Sequence, residues 1–201
     1  MTEHVANESG PWTKEFLLWD YIPDVSVCDE LIQFHRQSDK KRPGECGRGL
    51  NLEIKDSTDV ILDDGILLNK YLTQLQIVVK KYIQEFPYCN HYSPWAILEN
   101  FSIQHYAPPQ QAFKAWHTER SNNKPQNAAR HLVFMTYLND VHDEGETEWY
   151  HQEVKLSPRK GLTAIWPVDW TYTHRGVPSK TEHKYIVTGW FSYYSREQVN
   201  G

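Results

Sequence analysis

No run in the 201-residue sequence approaches the roughly 18 uncharged apolar residues of a membrane-spanning helix, so no such helix is expected. A basic excess is also missing. Twenty-one Lys and Arg stand against 26 Asp and Glu, for a formal net charge of −5. A broad phosphate-binding footprint is therefore not expected, and nucleic acid is set aside as a partner. Cysteine is scarce: Cys28, Cys46 and Cys89 are odd in number, far apart, and form no CxxC pair. They read as free thiols in a reducing compartment, with no zinc site. The opening residues MTEHVANESGPW lack a basic start followed by an apolar run. No secretory leader is expected from them, and the cytoplasm is the expected compartment. Internal repeats and low-complexity tracts are absent as well.

Aromatic residues, by contrast, are plentiful, with 8 Trp, 12 Tyr and 7 Phe. Such content favours β structure and a walled pocket. The length suits one hydrophobic core, so residues 1–201 are expected to form a single domain. Residues 1–95 read as a helical support region, and residues 96–195 as a β-rich core that carries the site.

Within the first part, DVSVCDELIQFHRQ (24–37) has a helical period with Val27, Leu31 and Phe34 on one face. GILLNKYLTQLQIVVKKYIQEF (65–86) is the longest helical pattern, and Pro87 ends it. Between them SDKKRPGECGRG (38–49) is a polar loop. After Tyr92 the texture changes to short strand-like segments: 97–106, 112–119, 130–140, 146–150, 161–167, 170–176 and 183–194. The breakers APPQQ, SNNKPQN, VHDEG, SPRK and VPSKTE separate them. Short strands at this spacing predict a sandwich or barrel rather than alternating β and α units.

The chemistry-bearing motif is His117-Thr118-Glu119, since alternate side chains on a strand share a face. Two imidazoles and one carboxylate on one triangular face suit a ferrous ion and leave further positions open. HxE supplies two such donors, and a distant histidine must supply the third. On its own the motif is weak, because His142-Asp143-Glu144 repeats it, although in a turn where the period-2 argument fails. His174 is the candidate third donor, ahead of Arg175 and Gly176. Further on, Lys184 shares a face with Ile186, Thr188 and Trp190 in the apolar strand HKYIVTGWFSYY. A lysine among such neighbours is costly to bury unless an anion meets it.

From about Phe101 to Tyr193 these motifs resemble the iron- and 2-oxoglutarate-dependent dioxygenases, closest to the prolyl 4-hydroxylase-like branch. In that family a strand ends in tyrosine before HxD; here Tyr106 precedes APPQQAFKAWHTE. RHLVFMTYLND leads into VHDEGETEWY, where the family has a GGET turn, and SPRKGLTAIWP matches a P-x-x-G turn before an aromatic and proline. Then come His174, Gly176, Lys184 and Trp190 in the family's order. The resemblance implies a mainly β, α+β fold: a double-stranded β-helix, or jelly roll, with the N-terminal helices packed on one sheet. It implies that His117, Glu119 and His174 hold Fe(II) and are catalytic. Lys184 would meet the distal carboxylate of 2-oxoglutarate, with Tyr106 and Thr188 also in the co-substrate site. Trp190 and Arg130 are assigned to the substrate. With O2 as the second co-substrate, the implied reaction hydroxylates a C–H bond and releases succinate and CO2. Three positions depart from the family pattern: Glu119 replaces the usual Asp, the turn before His117 is longer and carries Pro108-Pro109, and Glu144 replaces the first Gly of GGET.

The remaining candidates have plainer readings. Trp116, Trp149, Trp166 and Trp170 read as core or rim, His105, His131, His142, His151 and His183 as surface or supporting, and Arg175 as structural. The loop Ser121 to Asn127 could overhang the metal mouth as a lid. Three functions compete: hydroxylation of a residue, most simply prolyl, in a protein or peptide; the same chemistry on a free amino acid or other small molecule; and a non-catalytic jelly-roll binding module. The intact triad and lysine disfavour the last. The oligomeric state is not legible.

Overall fold

The computed structural model describes residues 10–47, 49–120 and 125–194. Helix α1 (Ser26–Gln37) buries Val27, Cys28, Leu31 and His35, with Phe34 half-buried beside them. Helix α2 (Gly65–Glu85) is opened by Asp64, whose carboxylate accepts from the amides of Ile66 and Leu67 at 2.9 and 3.0 Å. Its buried stripe runs through Leu67, Tyr71, Leu75, Val78, Val79 and Tyr82, which is the spacing of one helical face. The chain leaves it through a 3-10 turn at Pro87–Asn90.

The strands are β1 (Trp12–Lys14), β2 (Leu17–Tyr21), β3 (Arg42–Pro43), β4 (Thr58–Ile61), β5 (Trp95–Ala96) and β6 (Ser102–Tyr106). After helix α3 (Pro125–Ala129) come β7 (Arg130–Tyr137), β8 (Thr147–Trp149), β9 (Val154–Leu156), β10 (Leu162–Pro167), β11 (His174–Gly176) and β12 (Lys184–Tyr193). All pairings are antiparallel. The large sheet runs β1-β2-β10-β7-β12-β6-β4-β3, with β5 also on β12, and the small sheet runs β11-β8-β9. One apolar core lies between the helices and the large sheet, around Tyr71, Leu75, Phe101, Phe134 and Val187. A second lies between the sheets, around Trp149, Trp166, Val133 and Tyr137. The fold is thus mainly antiparallel β with helices on one sheet, as the resemblance implies.

Several details differ from the sequence expectations. Five of the strands precede residue 97, so the first part of the chain supplies sheet as well as helices. The β1–β2 hairpin turns through Glu15 and Phe16 at φ 48° and 66°, a left-handed pair without the Asn or Gly that normally marks such a turn. Residues 112–119 are not a strand. Lys114 and Ala115 both donate to the Ile54 carbonyl, which breaks the alternation, and only two bridges remain, Phe113 to Lys55 and His117 to His174. Residues Trp170–Tyr172 form a 3-10 turn, and the strand begins only at His174.

Candidate active site

His117 and His174 are joined by reciprocal backbone hydrogen bonds, each 2.9 Å, so the HxE segment lies along β11 at the edge of the small sheet. Each ring is oriented from behind. Nδ1 of His117 lies 2.9 Å from the Ala115 carbonyl, and Nδ1 of His174 lies 2.9 Å from that of Tyr172. A proton on Nδ1 leaves the Nε2 lone pair free, which is the arrangement of ligating histidines. Phe113 stacks on His117 at a ring separation of 3.5 Å, while the buried indoles of Trp149 and Trp166 pack around His174.

Glu119 faces both imidazoles. Its Oε1 lies 3.6 Å from Nε2 of His117 and 3.4 Å from Nε2 of His174. One ligand atom from each of the three lies within 4.8 Å of the others, and no second such group occurs among the described residues. Burial, then the neighbouring His174, lowers the His117 imidazole. Burial would raise the Glu119 carboxyl, but hydrogen bonding and charge from the two histidines outweigh it and hold the group well below the usual range. Neutral imidazole and ionised carboxylate are the ligating forms. The donor set therefore fits a ferrous ion.

Lys184 opens β12 opposite Tyr106 on β6. It is 3% exposed, and its Nζ donates to the carbonyls of Gly145 at 2.8 Å and Val177 at 3.4 Å. Burial pushes the amine down to about 8, with Glu146 opposing. No carboxylate among the described residues pairs with it, so this buried cation can receive an anion. The alternation along β12 holds, since Lys184, Ile186, Thr188 and Trp190 all line one cavity of about 680 Å³ together with the three candidate ligands. Tyr106 lines it too, 5.0 Å from Nζ by its ring, but its hydroxyl donates to Gln104 at 2.6 Å. Burial pushes that phenol well above its ordinary value. The Thr188 hydroxyl donates to the Phe134 carbonyl at 3.1 Å. Arg130 is on the same wall, its guanidinium paired through two bonds with Glu99 at 2.9 and 2.7 Å.

Other sequence candidates lie elsewhere. His142 and Glu144 of the second HxE pair outward with Glu182 and Lys180. Glu144 sits at φ 83° beside Gly145 at φ 82°, a conformation that accounts for a glycine in the family pattern. Trp116 and Trp170 are exposed, Trp149 and Trp166 buried, and Arg175 holds Glu148 at 2.8 Å while lying over Trp116. In the expected lid, residues 121–124 lie outside the described residues, whereas Asn127 lines the cavity. Sequence reasoning missed Glu45, Cys46, Gly47, Ile54, Lys55, Glu99 and Gln104. Only Lys55, buried and paired with Asp59 at 2.8 Å, had a usable signal: a cation beside the strand pattern STDVIL.

Residues 101–192 match the 2OG-Fe(II) oxygenase superfamily. A viral collagen prolyl hydroxylase from Paramecium Bursaria Chlorella virus-1, solved with 2OG, is similar at a TM-score of 0.65 and 17% identity, covering 90% of this chain and 97% of that one. A Pseudomonas putida prolyl-4-hydroxylase gives 0.67 and 16%, covering 88% and 92%. A Trichoplax adhaerens prolyl hydroxylase, in complex with a peptide fragment of the hypoxia inducible factor oxygen degradation domain, gives 0.70 and 17%, covering 92% and 87%. No curated protein matches in sequence. At such identities the structures speak for the shared fold alone. Over residues 101–192 this chain is similar to the 2OG-Fe(II) oxygenase superfamily, and its fold is the one shared by these solved prolyl hydroxylases.

Proposed function

We propose that the protein hydroxylates a prolyl residue within a polypeptide, releasing succinate and CO2. In this reading His117, Glu119 and His174 hold the iron, and the Lys184 ammonium meets the distal carboxylate of 2-oxoglutarate. Tyr106 and Thr188 complete the co-substrate wall, and Trp190 and Arg130 border the substrate. Bound iron with 2-oxoglutarate and O2 supplies the oxidising power, and the protein supplies orientation and a dry wall. Phe113, Trp149 and Trp166 exclude water from the imidazoles, while the Ala115 and Tyr172 carbonyls hold a proton on each Nδ1. Three unpaired thiols agree with a reducing compartment such as the cytoplasm.

The observation that favours a polypeptide over a free amino acid is an aromatic series leaving the cavity mouth. Trp116 lines the cavity and contacts Tyr150 at 5.4 Å, Tyr150 contacts His151 at 5.2 Å, and His151 contacts Trp170 at 5.6 Å, all edge to face. Trp116, Tyr150 and Trp170 are 40%, 61% and 67% exposed, although such rings are ordinarily buried. A small molecule bound at the ligands would not reach Trp170, whereas residues flanking a target proline would. The test measures KM for prolyl peptides of increasing length in wild type, Tyr150→Ala and Trp170→Ala. Both variants are expected to raise KM for long peptides more than for short ones. Equal effects at every length, or faster turnover of free proline than of any peptide, would overturn the polypeptide reading.

A further inference from the structure

Glu119 uses its two carboxylate oxygens differently. Oε1 faces the histidine Nε2 atoms at 3.6 and 3.4 Å, whereas Oε2 accepts a 2.9 Å hydrogen bond from the Trp190 indole N–H. Arg130 reinforces that second contact. Its Nη1 lies 3.8 Å from Oε2 and donates to the Glu119 backbone carbonyl at 3.3 Å, and its guanidinium carbon lies 3.5 Å from the Trp190 ring centroid. Glu99 fixes the guanidinium from the far side. The result is a continuous relay, Glu99–Arg130–Trp190–Glu119, with the Arg130 side chain 10% and that of Glu119 15% exposed.

A carboxylate beside a cation can engage through one oxygen or two. Glutamate has one more rotatable bond than the family's aspartate, so its head is freer to swing into the two-oxygen arrangement. That arrangement would fill a position that the co-substrates need. An N–H committed to Oε2 opposes the swing, and a stacked cation keeps the indole in place. We propose that Trp190 and Arg130 are positioning residues that hold Glu119 to one-oxygen engagement of the metal. The role goes beyond the substrate contacts assigned above and rests on the reading of the triad as the metal site.

The test needs no turnover. Co(II) is titrated into metal-free wild type, Trp190→Phe and Glu99→Gln, following affinity and the visible absorption of the bound ion. Trp190→Phe keeps the ring and loses the donor. It is expected to weaken Co(II) about 10- to 100-fold, the usual loss when a partner of a ligand is removed, and to change the spectrum. Glu99→Gln, far from the ion, is expected to move both in the same direction by less, and it carries the test should Trp190→Phe not fold. A merely structural role would lower the melting temperature and leave the spectrum of the bound ion unchanged. Wild type that binds no Co(II) would sink the metal reading itself. Wild type that binds Co(II), with both variants identical to it in affinity and spectrum, would sink the clamp alone.

Discussion

Burying the Lys184 ammonium without a carboxylate partner should be measurable as stability. In the unfolded chain the amine titrates at 10.5, and in the fold burial brings it down to about 8. Below pH 8 both states are charged, and the fold bears the full cost of the buried charge. Between about 8 and 10.5 the unfolded chain still binds the proton that the fold has released, so stability rises with pH across that window. At about 1.4 kcal/mol for each tenfold change in proton affinity, the gain is about 3 kcal/mol. In a chain of this size that corresponds to roughly 6–12 °C in Tm. Lys184→Met keeps the length of the side chain and removes the titration. The assay is urea unfolding of metal-free wild type and Lys184→Met at closely spaced pH values from 7 to 10.5. Plotting the difference between the two proteins cancels the tyrosines and surface lysines. The difference should shift by about 3 kcal/mol in favour of wild type between pH 8 and 10.5. A flat difference would refute the idea that this charge is buried uncompensated. Added 2-oxoglutarate should displace the window upward in wild type, because its carboxylate favours the charged amine, and affinity for it should fall as pH rises through the titration.

Two further outcomes are expected. His174→Ala should abolish iron-dependent succinate formation with the circular dichroism spectrum retained, while His142→Ala, whose ring faces Glu182 at the surface, should leave turnover near wild type; retained turnover in His174→Ala would remove that histidine from the site. Gly189→Ala should cost about 1–3 kcal/mol by overpacking, because a Cβ there would meet Phe134 Cζ at 2.5 Å and Phe101 Cβ at 2.8 Å. Chemical denaturation of Gly189→Ala reads that cost, and a change below about 0.5 kcal/mol, the ordinary range of a surface substitution, would refute it.

The side chains that the structure brings together were legible where local pattern and pairing agree. Along β12 the alternation of Lys184, Ile186, Thr188 and Trp190 survives because the strand is long and paired on both sides, by β6 and β7. His117 and Glu119 converge even though the reason given from sequence, a shared strand face, does not apply. Two isolated bridges and a shared Ile54 carbonyl shape that segment instead. The β1–β2 hairpin was illegible because Glu15 and Phe16 carry no turn signature. Lys55 and Glu99 were missed for another reason. Their approach to the cavity depends on contacts distant in sequence, Lys55 with Phe113 and Glu99 with Arg130, and no local pattern announces such contacts.

The cavity wall is divided by architecture. Lys184, Ile186, Thr188 and Trp190 stand on the doubly paired strand β12, whereas Glu45, Cys46, Gly47 and Ile54 come from the connection between β3 and β4. Changes on β12 disturb two ladders at once, whereas the exposed positions of the connection, Glu45, Gly47, Leu50 and Leu52, tolerate change as loop positions usually do. Reactivity and choice of target can therefore diverge at different rates during descent. Relatives with the same cavity floor and a recut connection are the place to look for altered targets. A laboratory library confined to residues 45–47 and 50–53 samples new specificities while the chemistry is left in place.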